Sequence, residues 1–192
     1  MTLRLDFLRH GETELGGGLR GSLDDPLTET GWQQMNAAVV PGDAWQRIIS
    51  SPLQRCARFA EQLAQQHKLP LEYQDNFREL HFGDWEGKHP SELMLTQADE
   101  LGRFWADPYS FTPPAGEPLH DFAARIDTGL QALHQTYCGE HLLVICHAGV
   151  MRLLLARARG MKPAGLLQVV VGYAELIALH YDPQQGLSER PV

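Results

Sequence analysis

The chain has 192 residues, 43% hydrophobic and 21% charged, which is enough to bury one good core, so one domain spanning 1–192 is expected. Its formal net charge of −8 argues against a nucleic-acid footprint and against an anionic membrane as partner, because both need a basic excess; a small molecule is the expected partner. Cys56, Cys138 and Cys146 lack zinc-ligand spacing, and the first residues carry charge within their apolar stretch and no small-residue cleavage site. The expected location is therefore cytoplasmic.

Leu3 to Leu8 alternates and then turns apolar, and it runs directly into Arg9-His10-Gly11, which predicts a first strand delivering those residues at its carboxyl end. Gly16-Gly17-Gly18 marks a loop. Thr28 is the expected N-cap of a helix to about Val40, with Trp32, Met35 and Val39 on one face and Pro41-Gly42 as its stop. A short strand follows at Arg47 to Ser50. Ser51-Pro52 then reads as an N-cap with proline at the first helical position, opening a helix whose core stripe is Cys56, Phe59 and Leu63.

Residues 77–118 are irregular and rich in aromatics, glycine and proline, with short helical pieces expected between Ser91 and Asp107. The stretch reads as a lid inserted over a site. Phe122, Ile126, Leu130 and Leu133 predict a long amphipathic helix ending near Gly139. Leu142 to Cys146 is a continuous apolar run suited to a central parallel strand, and His147-Ala148-Gly149 follows it at once. A helix from about Val150 to Arg159 and a strand around Glu175 to Tyr181 complete the pattern. Alternating strands and helices imply an α/β three-layer αβα sandwich with a mostly parallel central sheet, which binds ligands beyond the carboxyl ends of its strands.

Of the nine histidines, His10 and His147 stand out because each follows a predicted strand and precedes a small residue. His67, His89, His134 and His141 lack that context and read as ordinary surface or hydrogen-bonded residues. Arg9 adjoins His10, and Arg55 lies near the start of its helix, where a guanidinium and a positive helix terminus can meet one anion; together they describe a phosphate pocket. By spacing alone Arg55 is equally a solvated helix charge, and Arg20 reads more readily as a surface residue than as a ligand contact. The run from Phe77 to Gly87 packs acids and bases among aromatics. A carboxyl buried there suits a general acid, and composition does not choose among Glu79, Asp84 and Glu86.

In sequence order, Arg9-His10-Gly11-Glu12-Thr13, Pro26 to Gly31, Ser51-Pro52-Leu53-Gln54-Arg55, Glu79 with Phe82 to Gly87, and Cys146 to Val150 resemble the histidine phosphatase superfamily, also called phosphoglycerate-mutase-like. The resemblance implies His10 as nucleophile, Arg9, Arg55 and His147 as holders of the phosphoryl oxygens, and Glu79 as proton donor to the leaving alcohol. It implies neither a metal nor another cofactor. A backbone carbonyl is expected to hold the His10 tautomer. Where members of the family often carry an asparagine after Arg-His-Gly, this chain has Gly16, so a backbone amide of the glycine cluster or Arg20 is expected to take that contact.

The lid carries only Lys88 and Arg103 as fixed cations between Gly87 and Pro118, against Glu92, Asp99, Glu100, Asp107 and Glu117, with Glu86 just before it. Such a lid suits a monophosphate with an uncharged body, so hydrolysis is expected over mutase chemistry. Within the family, Phe82 to Gly87 and Pro114-Ala115-Gly116-Glu117 look most like the α-ribazole phosphatases of cobalamin nucleotide-loop assembly, for which Trp85, Phe104, Trp105 and Tyr109 offer aromatic surface. The alternatives are phosphatases of phosphosugars, phosphoglycerate or phosphoserine, a phosphoglycerate mutase, or an inactive phosphoryl-binding module.

Overall fold

A computed structural model of the chain describes residues 2–39 and 44–190. Six strands form one sheet: β1 (Leu3–Arg9), β2 (Arg47–Ser50), β3 (Leu71–Tyr73), β4 (His141–Cys146), β5 (Leu176–Asp182) and β6 (Gly186–Glu189), in the order β3-β2-β4-β1-β5-β6. The first four in that order run parallel, while β5 and β6 are antiparallel to their neighbours. The helices are α1 (Glu29–Ala38), α2 (Gln54–His67), α3 (Pro90–Thr96), α4 (Ala98–Ala106), α5 (Leu119–Tyr137) and α6 (Ala148–Ala158).

The expected sandwich is present, and β4 shows why. Every residue of β4 is buried, and successive side chains enter different cores, as a strand covered on both faces requires. Leu142, Val144 and Cys146 pack with residues of α5, α6 and the lid, whereas Leu143 and Ile145 pack with those of α1 and α2. Arg9, Ser50 and Cys146 are therefore the last residues of three adjacent parallel strands, and their following loops share one edge of the sheet.

Local sequence sets the details. The Thr28 hydroxyl accepts the Gly31 amide at 2.9 Å, the N-cap expected for α1. The expected end of that helix at Val40, with its Pro41-Gly42 stop, lies outside the described residues. Ser51 is not the N-cap of α2: the helix begins at Gln54 with Leu53 as cap, while the Ser51 hydroxyl lies 2.8 Å from a histidine of the site and accepts the Leu53 amide at 3.4 Å. Helix α6 starts at Ala148, earlier than expected, and α3 and α4 supply the lid's helical pieces. Two strands, β3 and β6, have no counterpart in the sequence reading. His141, read as an ordinary surface or hydrogen-bonded residue, is of the second kind: it opens β4, buried, with its Nε2 at 2.8 Å from Asp6 Oδ2.

Candidate active site

His10 follows β1 at once and is 4% exposed. Its Nδ1 lies 2.8 Å from the Gly11 carbonyl, which can only accept, so Nδ1 carries the proton and Nε2 is left with a free lone pair. This is the backbone carbonyl that the sequence reading expected. The loop that makes the contact is held by two close-packed glycines: a Cβ on Gly11 would strike the Gly31 carbonyl, and one on Gly31 would strike that of Glu12.

His147 lies beneath His10, fully buried, with ring centroids 5.3 Å apart. Arg55 Nε donates to its Nδ1 at 3.3 Å, which puts the ring proton on Nε2, 2.8 Å from the Ser51 hydroxyl. Arg55 is itself 0% exposed and splints the loop over it, donating to the carbonyls of Leu23 at 2.6 Å and Gly21 at 3.0 Å. Asp25 is the nearby counter-charge, 3.6 Å from Arg55 Nη1 and 3.0 Å from Arg20 Nη1. Arg9 Nη1 donates to the Val171 carbonyl at 2.8 Å, and its guanidinium lies 4.2 Å from the centre of the Tyr173 ring.

This cationic setting controls the histidines. Burial, then the charges of Arg55 and Arg9, hold His10 well below the ordinary histidine pKa. Burial, Arg55 and His10 do the same for His147. Both rings are neutral in the folded protein under conditions where an unfolded chain, below about pH 6.5, would protonate them. The unfolded state then binds more protons, so stability should fall as pH drops from about 6.5. Thermal unfolding between pH 7.5 and 5 should show this decline, and His10→Asn should flatten it; an unchanged slope in the variant would exclude His10 as a source.

Glu79 stands across the site. Its Oε2 accepts the Gly149 amide at 2.9 Å, and its Oε1 accepts that of Leu80 at 2.9 Å. The two competing carboxyls do other things. Glu86 staples the loop beneath the lid by accepting the amides of Ser22, Leu23 and Phe82, and Asp84 is exposed. Any side chain at Gly149 would collide with the Glu79 carboxylate. Gly149→Ala should therefore cut kcat/KM by about tenfold to a hundredfold, as expected for a reacting group displaced by roughly 1 Å; wild-type kinetics would show that Glu79 works from another position.

A cavity of about 250 Å³ is lined in part by Arg9, His10, Gly16, Gly17, Gly18, Arg20, Glu79 and Gly149. Both expected substitutes for the family's asparagine, the glycine cluster and Arg20, thus reach it. Arg55 and His147 do not line it. The rest of the wall is apolar, with Leu19, Leu80, Phe82, Phe104, Pro108, Leu119, Phe122, Ala148, Leu166 and Leu167; Arg152 and Tyr173 complete it. Between Gly87 and Pro118 the chain contributes the apolar Phe104 and Pro108 to this wall, and Glu92, Asp99, Glu100, Asp107 and Glu117 do not line it, which corrects the charge argument made from sequence. Of the aromatics singled out there, only Phe104 lines the cavity. Trp85 is buried against Phe104 and Phe111, Trp105 is 48% exposed, and Tyr109 packs on His120. Tyr173 and Arg152 were not foreseen, since neither lies in a recognisable motif.

The family model described as "Histidine phosphatase superfamily (branch 1)" matches residues 5–191. The chain belongs to the histidine phosphatase superfamily. Among curated members of this superfamily, an adenosylcobalamin/alpha-ribazole phosphatase of Escherichia coli is 30% identical over 83% of the chain and 80% of its own length. A bifunctional protein of Mycobacterium tuberculosis is 35% identical over 81% of the chain and 44% of its own length. The solved α-ribazole phosphatase of Shigella flexneri superposes with a TM-score of 0.84 at 26% identity, covering 98% of this chain and 95% of its own. A mycobacterial glucosyl-3-phosphoglycerate phosphatase does so with a TM-score of 0.85 at 25% identity, covering 99% and 97%. Membership carries phosphatase activity, the hydrolysis of phosphoric monoesters. Among the described residues, no helix is long and apolar enough to cross a membrane.

Proposed function

We propose that this histidine phosphatase hydrolyses a small-molecule monophosphate through a phosphohistidine on His10. The reading is carried by the fixed His10 tautomer: with Nδ1 tied to Gly11, the neutral ring offers Nε2 to phosphorus. Arg9 and Arg20, at the cavity wall, take phosphoryl oxygens. Arg55 and His147 act from beneath, where Arg55 has an Nη2 hydrogen to spare and adds its charge to the in-line transition state. Glu79 gives its proton to the leaving oxygen, and then takes one from the water that attacks the phosphohistidine. The charge that a metal ion would bring is supplied by arginines, so turnover in excess chelator should match turnover without it.

For the leaving group, the apolar wall favours an ester with a flat, uncharged body, and α-ribazole 5′-phosphate is the substrate proposed, with α-ribazole as product in cobalamin synthesis. The similar E. coli and Shigella proteins support this choice. A second reading comes from Arg152, a cation in the same cavity whose Nε is tethered to the Val169 carbonyl at 3.0 Å; it favours an ester bearing a carboxylate, such as a phosphoglycerate. Kinetics on α-ribazole 5′-phosphate, 3-phosphoglycerate, phosphoserine and an aryl phosphate decide between them. A kcat/KM for the riboside about a hundredfold above the rest, about 2.7 kcal/mol of discrimination, is expected. Preference for 3-phosphoglycerate would transfer the assignment to the second reading.

A further inference from the structure

Glu79 sits on irregular backbone between a one-turn helix at Asp75–Phe77 and another at Gly83–Trp85, so no sheet or helix ladder fixes its main chain. A reacting group so placed has to be held by something else, because displacement by about 1 Å can cost a hundredfold in rate. Glu79 also lines a second cavity, of about 220 Å³, together with Arg78, His81, Glu117 and Arg125.

The support comes from α5. Arg125 spends every N–H of its guanidinium within this one assembly. Nη1 donates to the carbonyls of Asn76 and Arg78, each at 2.8 Å, and Nη2 donates to the carbonyl of Glu79 at 2.9 Å. The remaining donors, Nε at 2.7 Å and Nη2 at 2.9 Å, form a two-pronged pair with the Glu117 carboxylate. Glu117 in turn grips the chain on the other side of Glu79: its Oε2 accepts the His81 amide at 3.3 Å, and its own amide donates to the His81 carbonyl at 2.8 Å. The segment 76–81 is thus pinned to the start of a 19-residue helix at points before, at and after Glu79.

We infer that Arg125 and Glu117 are positioning residues for the proton-transfer step, setting where the Glu79 carboxyl stands relative to the leaving oxygen. The inference rests on the proposed role of Glu79 and deepens it. Lysine cannot replace Arg125 here, because one ammonium has neither the planar fork nor enough donors to span three carbonyls and a carboxylate.

The test compares kcat/KM on an alkyl phosphate, which needs proton donation, with p-nitrophenyl phosphate, which hardly does, for the wild type, Glu79→Gln, Arg125→Met and the double variant. Arg125→Met should lose about tenfold to a hundredfold on the alkyl ester and less than about threefold on the aryl ester. In the double variant the alkyl loss should be no greater than in Glu79→Gln alone, because both changes remove one function. An Arg125→Met loss equal on both esters, beside a selective Glu79→Gln, would overturn the positioning role while leaving Glu79 as the acid. A non-selective Glu79→Gln would remove the acid role and the clamp with it. Should Arg125→Met fail to fold, Arg125→Lys and Glu117→Gln, with melting temperatures recorded, carry the same comparison: a selective alkyl loss supports the clamp and an equal loss overturns it.

Discussion

His10→Ala is expected to abolish turnover, with a fall on the order of 10⁵-fold or more, the scale seen when a covalent nucleophile is removed. The cationic surroundings remain in the variant, so substrate should still bind. What disappears is the atom that accepts phosphorus. In the wild type, quenched mixtures should contain an acid-labile, base-stable phosphoenzyme, and the variant should form none. Near-normal activity in His10→Ala would refute a covalent path and favour direct attack by water in the same cationic pocket.

The second large effect belongs to Glu79→Gln. On an alkyl ester, kcat/KM should fall by about 10²- to 10³-fold, within the usual range for loss of a general acid, and on p-nitrophenyl phosphate by less than tenfold. The amide keeps the size of the side chain but not its bonding. Glu79 accepts amides on both oxygens, and glutamine can accept on only one, so about 1–3 kcal/mol of stability should be lost as well. That cost falls equally on every substrate, whereas the proton-transfer cost depends on the leaving group. Equal losses on both esters would assign Glu79 a purely structural part.

Much of this site was legible because its residues sit where chain pattern changes abruptly. The runs ending at Arg9 and Cys146 are apolar enough to announce buried strands, so His10 and His147 were readable as residues at strand ends. The short edge strands were not. Leu71–Tyr73 and Gly186–Glu189 offer too few residues, and too many polar ones, for a period to emerge. The start of α2 was misread for a different reason. Ser51-Pro52 carries a local capping signal, and the Ser51 hydroxyl does accept the Leu53 amide, but the helix opens only at Gln54 and the hydroxyl also meets His147. Arg125 and Glu117 escaped notice because their partners are main-chain carbonyls and an amide 36 to 49 residues away, which no side-chain pattern records. Likewise Trp85 and Phe104 look alike in sequence, yet only Phe104 reaches the cavity wall.

The sheet's outermost strands have a consequence unrelated to catalysis. Hydrogen-bonding capacity left over at a sheet's margin is an invitation to foreign chains, and here the margins are β3, with 3 residues, and β6, with 4. Neither is long enough to template a stable extra strand, and the residue after Glu189 is drawn inward, where Arg190 meets the buried carboxylate of Asp6 at 2.9 Å. The protein is thereby guarded against sideways growth into fibrils, even though β2 and β4 in its interior carry the apolar, β-branched pairs Ile48-Ile49 and Val144-Ile145.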